Sequence, residues 1–409
     1  MQKTRLRRYA RMIARIGANV QPGQDAFIFA SIEQPEFVAL LTEELYKAGA
    51  RKVHVRMDYQ PLGKIHHKYC SLETLSAVEE MELAELQFMV DRLPCRIALA
   101  SADPDGGKGI DVEKANKSGQ ARHPITYPYR EKIDGKHQWC IAAVPGVKWA
   151  KKIFPGERAG RAVEKLWQAI LDASRINEDP VAAWNEHHAN LASRCEYLNT
   201  LDIETLEFKA SNGTDLRVGM IPEAIFCGGG ETTKDGVFFT PNVPTEECFI
   251  TPMRGVAEGI VYSTKPYPCG GELIEQFSLR FENGKVVEVH ADTPKNEENL
   301  IKMLDMDEGA RYLGECALVP FSSPINQTGI LFYNTLFDEN ACCHLAMGRG
   351  YADTIRNHHN MTREEINALG VNQSMIHSDF MIGTADMSVT AYCRDGKVVK
   401  IFENGDWAF

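Results

Sequence analysis

Short apolar runs and stretches of helical spacing alternate along the first half of the chain. The strand-like run at residues 25–30 is followed by a helical pattern that opens at Pro35 and ends at Gly49, and then by a second strand-like run at residues 51–57. Units of this kind favour a parallel sheet covered by helices. The other predicted elements of this half are strands at residues 95–102 and 139–144, and helices at residues 72–90, 160–177 and 180–198.

After Asn199 the pattern changes to pairs of alternating segments joined by short turns. Each turn contains Asn-Gly or Asp-Gly, which favours a β-hairpin. We therefore predict an α/β N-terminal domain with a parallel sheet at residues 1–190, and an α+β C-terminal domain rich in antiparallel hairpins at residues 191–409. The three predicted hairpins pair residues 205–210 with 214–218, residues 277–281 with 285–290, and residues 389–393 with 398–402.

Composition and charge narrow the class of protein. The 409 residues are 44% hydrophobic and 25% charged, as in ordinary globular proteins, and the net charge of −11 argues against nucleic acid as the main partner. No apolar run approaches the roughly 20 residues of a membrane helix, so we expect no membrane association. The 11 cysteines include no CxxC pair, which favours reduced thiols and a cytoplasmic protein. The adjacent His187 and His188 lie in polar surroundings and are predicted to be exposed.

A histidine and an aspartate two residues apart lie inside an apolar segment near the C-terminus. His377 and Asp379 belong to the sequence SMIHSDFMIG, and the residues at 371–375 and 380–382 predict a buried strand around them. On a strand both side chains point to the same face. A bound divalent cation accounts for them, but a hydrogen-bonded His–Asp pair in a core is the more ordinary explanation of these residues alone.

Further carboxylates and a histidine lie in the second half where apolar segments meet turns. Each acid has a simple explanation: Glu247 as a loop charge, Glu315 as a paired core carboxylate, and Glu339 as an acid in the first turn of a helix. His344 follows Glu339 in the same segment. Together with the His–Asp pair, these residues fit two divalent ions that share a carboxylate better than one structural zinc, which favours cysteine ligands. The C-terminal domain is therefore expected to carry the metal site.

Four segments of the second half resemble signature segments of a known peptidase family. They are PTEECFITP, LGECALVP, NTLFDENACCHLAMG and SMIHSDFMIG, and they are similar to the thermophilic aminopeptidase T family of metallo-exopeptidases, which includes leucyl aminopeptidases. PGVKWAKKIFPG, KLWQAILDAS and EDPVAAWNEHHANL resemble the first domain of that family, and DMDEGARYLGE resembles the approach to one of its ligand carboxylates. The resemblance extends over nearly the full length, in the family's order.

The resemblance implies a set of metal ligands in the C-terminal domain. They are Glu247 in PTEE, Glu315 in LGE, His344 in CCHLAMG, and His377 and Asp379 in HSD. The chain departs from the family by having cysteines beside these positions, where apolar or small residues are expected, although none of them replaces a ligand. The cysteines are Cys248, Cys316, Cys342 and Cys343.

Two further residues are implied to take part in the chemistry. Tyr351, seven residues past His344, matches a tyrosine of the family's active site, and we expect it to donate a hydrogen bond to the developing oxyanion. Glu339 matches an acid beside the site, as a metal ligand or as a neighbour of the ligands. Either Glu315 or Glu339 is expected to carry the proton from water to the leaving amine.

The function that the resemblance implies is that of a metal-dependent aminopeptidase. It would remove N-terminal residues from peptides with a free N-terminus, with broad specificity, by water activated between two divalent ions of zinc, cobalt or magnesium. A homodimer is also implied, with the first domain as the wall of a chamber. The alternatives are another two-metal hydrolase, either a phosphoesterase or an amidohydrolase, and a non-catalytic metal or peptide binder. A phosphoesterase requires basic residues near the ions, for which Lys234, Arg254 and Arg349 are scattered candidates.

Overall fold

The chain folds into two compact units. The structure, a computed structural model, describes residues 3–269 and 272–409. The first unit comprises the residues up to Glu186 together with Gly230–Pro244, and the second comprises His187–Gly229 together with Thr245–Phe409. The predicted division at residue 190 remains a prediction about domain organisation.

Helices are concentrated in the first unit. Within the described residues, none is long and apolar enough to cross a membrane. Single helical turns of other types lie at Ile13–Gly17, Glu308–Arg311, Glu339–Ala341, Ala352–Thr354 and His358–Asn360. The α-helices are α1 (Lys3–Met12), α2 (Pro35–Ala48), α3 (Pro61–Tyr69), α4 (Leu72–Ser76), α5 (Glu80–Arg92), α6 (Val112–Ile133), α7 (Val147–Ile153), α8 (Ala159–Ala173), α9 (Pro180–Thr200), α10 (Pro294–Leu304), α11 (Pro324–Gln327), α12 (Thr335–Asp338) and α13 (Arg363–Ala368).

Strands form the centre of both units. They are β1 (Asp25–Ser31), β2 (Lys52–Asp58), β3 (Cys95–Ala100), β4 (Trp139–Ala143), β5 (Ile203–Lys209), β6 (Asp215–Met220), β7 (Cys227–Gly228), β8 (Glu231–Thr232), β9 (Phe238–Phe239), β10 (Asn242–Val243), β11 (Cys248–Ile250), β12 (Pro252–Tyr262), β13 (Tyr267–Cys269), β14 (Glu272–Ile274), β15 (Phe277–Glu282), β16 (Lys285–Ala291), β17 (Leu313–Leu318), β18 (His344–Gly348), β19 (His377–Met381), β20 (Ser388–Cys393), β21 (Val398–Glu403) and β22 (Asp406–Trp407).

The first unit is built on a five-stranded parallel sheet. Its strand order is β10-β4-β3-β1-β2, and each pair of neighbours runs parallel. The α/β prediction for this half is confirmed. The helix between the first two strands begins with Pro35 and ends before Gly49, whose φ of 114° forms a left-handed cap, as the sequence predicts. β10 pairs with β4, which is why the segment Gly230–Pro244 lies in the first unit.

The second unit contains two larger antiparallel sheets. One has the order β16-β15-β12-β6-β5-β20-β21-β22, and the other has the order β19-β18-β17-β11-β7. The three predicted hairpins are present as the antiparallel pairs β5–β6, β15–β16 and β20–β21. The prediction of an antiparallel-rich α+β region in the second half is therefore confirmed.

The predicted strand at residues 371–382 is shorter than the sequence pattern indicates. Strand β19 begins at His377, and the five residues at 371–375 have an irregular conformation. The Asp307 carboxylate accepts hydrogen bonds from the Ser374 hydroxyl at 2.9 and 3.0 Å and from the Met375 backbone N–H at 2.5 Å. These bonds hold the segment away from strand geometry, and of its two apolar residues Val371 is buried whereas Met375 is exposed.

Candidate metal centre

Three neighbouring strands of the five-stranded antiparallel sheet bring three candidate residues together on one face. Glu315 on β17 lies opposite Ala346 on β18, and Ala346 lies opposite Asp379 on β19. His377, also on β19, lies opposite Gly348. Residues opposite each other in antiparallel strands point to the same side of the sheet. The pairing register of these three strands, which loops separate in the sequence, therefore places the candidate residues on one face.

Small residues along β18 leave space on this face. His344, Ala346 and Gly348 alternate with Leu345 and Met347, and the latter two are buried in the hydrophobic core of the second unit. Because side chains alternate across a strand, His344, Ala346 and the Gly348 position face the polar side. A larger side chain at position 346 would stand between the carboxylates of the flanking strands.

The candidate ligands form two groups that share Glu315. The first group is Glu247, Glu315 and His344, and the second is Glu315, His377 and Asp379. In each group, one ligand-type atom per residue lies within 4.8 Å of the others. His344 Nε2 is 3.4 Å from Glu247 Oε2. His377 Nε2 is 3.1 Å from Glu315 Oε2 and 3.4 Å from Asp379 Oδ1.

Backbone carbonyl groups fix the orientation of both imidazole rings. His377 Nδ1 donates to the Arg349 carbonyl oxygen at 2.7 Å, and His344 Nδ1 donates to the Cys342 carbonyl oxygen over a longer 3.4 Å. A proton held on Nδ1 leaves Nε2 as the nitrogen that faces the carboxylates. Each ring therefore turns Nε2 toward the centre, and in the neutral ring this nitrogen would be free to bind a metal ion.

The carboxylates of the centre have too little compensating positive charge around them. Burial raises the pKa of Glu247 well above its usual value, and repulsion from Glu315 and Asp379 raises it further. The pKa of Glu315 is raised by burial, although its hydrogen bond with His377 opposes the shift. Burial, followed by the Asp379 and Glu247 carboxylates, raises the pKa of Glu339 well above normal. A divalent cation supplies the kind of charge that this set of acids lacks.

His377 compensates part of this deficit by holding a proton. Burial alone lowers the pKa of its imidazole, but hydrogen bonds with Asp379 and Glu315 overcome that effect and raise it to about 10. The pKa of Asp379 is lowered in spite of burial, because its carboxylate is hydrogen-bonded to the same ring. A positive charge is thus favoured at the point where these carboxylates converge.

The donor atoms of the two groups fit hard or borderline divalent ions. Carboxylate oxygens suit magnesium, and imidazole nitrogens suit zinc and cobalt. Neither group includes a cysteine. Cys316 and Cys343 belong to the hydrophobic core of the second unit, and burial raises the pKa of both thiols. The cysteines beside the candidate ligands thus behave as small apolar residues.

Tyr351 lies against His377 in this centre. Its hydroxyl is 2.9 Å from His377 Nε2, and the centres of the two rings are 4.6 Å apart. Its backbone N–H donates to the Thr251 hydroxyl at 2.8 Å, and its ring contacts Phe249 edge-on. Burial and the neighbouring carboxylates raise the pKa of the phenol, so the hydroxyl keeps its proton and is available as a donor.

Glu339 lies beside the ligand groups but in neither of them. It begins the helical turn Glu339–Ala341, and its Oε1 accepts a long hydrogen bond from Asn340 Nδ2 at 3.4 Å. Its pKa responds to the charges of Asp379 and Glu247. The structure therefore places Glu339 in the electrostatic surroundings of the centre, next to the candidate ligands.

The loop before β11 is held by residues that the sequence pattern does not single out. The Thr245 side chain hydrogen-bonds the Glu247 carboxylate, and the Asn340 side chain accepts from the Glu246 N–H at 2.7 Å. His187 Nε2 donates to the Thr245 carbonyl oxygen at 2.8 Å, and its side chain is only 10% exposed, so the prediction that it is exposed is wrong. These partners are 58 and 94 residues from the loop, so no local signal marks them.

The chain is similar to known proteins over its whole length. The family model for thermophilic metalloproteases (M29) matches residues 2–407. Aminopeptidase AmpS of Bacillus subtilis is 39% identical over 407 residues, which cover 99% of this chain and 98% of the relative. Aminopeptidase T of Thermus thermophilus is 37% identical over 407 residues, with the same coverage. The solved structure of wild-type AmpT from Thermus thermophilus matches with a TM-score of 0.90 at 35% identity and covers 100% of both chains.

Proposed function

The chain belongs to the thermophilic metalloprotease family M29 and is a metal-dependent aminopeptidase, and from that premise we propose that two divalent ions bind at the centre described above. The family and the class of activity implied by the signature segments are confirmed. The proposed ligands are Glu247, Glu315, His344, His377 and Asp379. The observation that carries the proposal is that Glu315 belongs to both ligand groups. The alternative of a phosphoesterase or amidohydrolase finds no support in the similarities.

Hydrogen bonds within the chain orient the side chains of the proposed site. When bound, divalent ions supply a Lewis acid for the scissile carbonyl and lower the pKa of a water molecule. The rings of His344 and His377 are already fixed by backbone carbonyl groups, so ligand formation needs little rearrangement. Ala346 keeps the space between the flanking carboxylates open.

We assign proton transfer to Glu339 in preference to Glu315. Glu315 contacts His377 and belongs to both ligand groups, whereas Glu339 lies beside them with a raised pKa. Glu339 takes a proton when water attacks the peptide carbonyl carbon, and it gives that proton to the amine as the carbon–nitrogen bond breaks. Tyr351 keeps its own proton and donates a hydrogen bond to the oxygen that becomes negative.

Acidic residues around the centre support recognition of a free N-terminus. The α-amine of a peptide has a pKa of about 8 and is therefore largely positive at neutral pH. The positive amine would face a carboxylate beside the ions, or in its neutral form would approach an ion, and an amide in place of the amine does neither. We therefore propose peptides with a free N-terminus as substrates, with broad tolerance for the first side chain. Zinc, cobalt and magnesium are the proposed ions, because the ligand set mixes carboxylates and imidazoles.

We also propose that the protein is located in a reducing compartment and forms a homodimer. All 11 cysteines are free thiols, which supports a cytoplasmic protein. The first unit exposes several apolar side chains, including Val55, Met57, Leu62 and Tyr69, and such surfaces support association with a second copy. Light scattering at micromolar concentration measures this directly, and a monomer would contradict the homodimer.

Matched substrates test the proposed function. The metal-loaded protein should hydrolyse leucyl-anilide, and it should not hydrolyse N-acetyl-leucyl-anilide, because acetylation removes the charged amine. Nitrophenyl phosphate should also remain intact. Equal hydrolysis of the two anilides would exclude recognition of the N-terminus. A purified His377→Ala variant that cleaves leucyl-anilide at the normal rate would exclude the proposed centre.

A further inference from the structure

A buried asparagine lies between two acidic segments of the metal centre. Asn340 is fully buried, with 0% of its surface exposed. Its Oδ1 accepts a hydrogen bond from the Glu246 backbone N–H at 2.7 Å, and its Nδ2 donates to the Leu336 carbonyl oxygen at 3.2 Å. One side chain thereby links the loop that carries Glu247 to the segment that carries Glu339.

The hydrogen-bond partners determine the orientation of the amide. The Glu246 N–H requires an acceptor and the Leu336 carbonyl oxygen requires a donor, so Oδ1 and Nδ2 cannot be exchanged. In this orientation Nδ2 also lies 3.4 Å from Glu339 Oε1. The Ser323 hydroxyl donates to the Asn340 backbone carbonyl at 2.7 Å and holds the turn in place. Leucine has neither group, and ionised aspartate has no donor, so neither satisfies these partners.

Repulsion between acids explains why such a link matters. The carboxylates of Glu247 and Glu339 lie close enough to repel each other. Without Asn340, the buried Glu246 N–H loses its partner, and repulsion favours movement of the two carboxylates apart. Groups that bind a metal must be held within about 0.5 Å of their productive positions, which requires support from neighbouring side chains.

We propose that Asn340 is a positioning residue of the metal centre, which holds the segments of Glu247 and Glu339 in the arrangement that binds the ions. This inference rests on the proposed metal centre and deepens it. Residues that orient metal ligands typically change metal affinity by about 10–100-fold when they are replaced. A residue that merely stabilises the fold changes the melting temperature and leaves the affinity of the folded protein unaltered.

Calorimetric titration of the metal-free protein with cobalt ions distinguishes these roles. Asn340→Asp keeps an acceptor for the Glu246 N–H but places an oxygen where Nδ2 faces Leu336 and Glu339. We expect cobalt to bind about 10–100-fold more weakly than in the wild type. The visible absorption of bound cobalt should also change, because the geometry of its ligands is altered.

Asn296→Asp is the matched control. Asn296 is buried in the same unit, and its Nδ2 donates to Asp292 Oδ1 at 2.7 Å, a residue outside the proposed centre. The substitution places two carboxylates together and should lower the melting temperature of the metal-free protein. It should leave the affinity for cobalt and the cobalt spectrum unchanged.

Each outcome supports or overturns the proposal. Wild-type cobalt affinity in Asn340→Asp would overturn it, and so would an equal loss of affinity in Asn296→Asp. If Asn340→Asp does not fold, Asn340→Ser replaces it in the same titration. Weakened cobalt binding by this variant supports the positioning role, and wild-type cobalt binding overturns it. Wild-type protein that binds no cobalt would instead contradict the proposed metal centre, and the inference would fail with it.

Discussion

The two five-stranded sheets differ in the charges that surround a buried carboxylate. In the parallel sheet, Asp25 on β1 accepts hydrogen bonds from Arg51 Nη2 at 2.6 Å and from Arg92 Nε at 3.2 Å. Burial alone raises the pKa of Asp25, but the two guanidinium groups lower it. At the antiparallel sheet, Glu247 is also buried, yet burial and the charge of Glu315 raise its pKa well above normal.

We interpret this difference as that between an acid that stabilises a fold and acids that are proposed to bind metal ions. The charge of a buried carboxylate between two cations is compensated within the protein. A group of carboxylates without enough cations is costly until an ion binds, and such strongly shifted groups cluster at functional sites. Changes at the antiparallel sheet should therefore affect metal binding and turnover, and changes at Asp25 should affect stability alone.

Removal of the metal should have the largest effect. Exhaustive chelation is expected to abolish hydrolysis of leucyl-anilide, and added zinc, cobalt or magnesium should restore it. The melting temperature should also fall, because an ion at 100 times its dissociation constant stabilises the folded state by about 2.7 kcal/mol. Elemental analysis alongside the assay checks both points. Full activity in protein without detectable metal would show that the acids of the antiparallel sheet serve another purpose.

Replacement of the shared carboxylate should have nearly as large an effect. Glu315→Gln keeps the shape of the side chain but removes its charge, so activity should fall by more than the roughly 100-fold that loss of a partner of a metal ligand causes. The metal-free variant should unfold at the same temperature as the metal-free wild type, or higher, because burial and repulsion from Asp379 disfavour the charged carboxylate and together outweigh its hydrogen bond with His377. Thermal unfolding of chelated samples tests this. A variant that is inactive because it no longer folds would mean that Glu315 is a structural residue like Asp25.

Removal of the Tyr351 hydroxyl should have an intermediate effect. Tyr351→Phe keeps the ring contacts with His377 and Phe249 but removes the donor. We expect kcat to fall by about 10²–10³-fold, the usual effect of losing one donor to an oxyanion. KM, metal content and melting temperature should change little. Steady-state kinetics at saturating metal provide the measurement, and an unchanged kcat would assign the tyrosine to packing.

Loss of the charge on Asp25 should have the smallest effect on catalysis and a clear effect on stability. Asp25→Asn weakens the bonds to Arg51 and Arg92, which remain partly in water, so we expect a loss of about 1–3 kcal/mol in the free energy of unfolding. The kcat per folded molecule should equal that of the wild type. Denaturant unfolding and active-site-normalised kinetics check both parts. A loss of turnover without a loss of stability would remove the distinction between the two sheets.

Local signals in the sequence explain which parts of the fold are predictable. The hairpins of the second unit follow from alternation and Asn-Gly or Asp-Gly turns, and both signals lie within a few residues. Helix α6 is not predicted, because it contains Pro124 and Pro128, which usually interrupt a helix. Its buried residues are Ser118 and Ile133, so it also lacks an apolar stripe. A helix of this kind is not apparent from periodicity.

The members of the proposed metal centre are visible in the sequence, but their arrangement is not. Polar residues inside apolar segments single out Glu315, His377 and Asp379 individually. Strand register decides that the first and last of these flank Ala346, and register depends on loops and packing far along the chain. Asn340 has no distinguishing sequence signal, because its role depends on a backbone group 94 residues away.

Anomalous diffraction from crystals of the cobalt-loaded protein, measured at the cobalt absorption edge, tests the central claim most directly. Two peaks are expected, one bounded by Glu247, Glu315 and His344 and the other by Glu315, His377 and Asp379, with the Glu315 carboxylate contacting both. A peak located away from Glu315, or active crystals without any peak, would contradict the proposed centre.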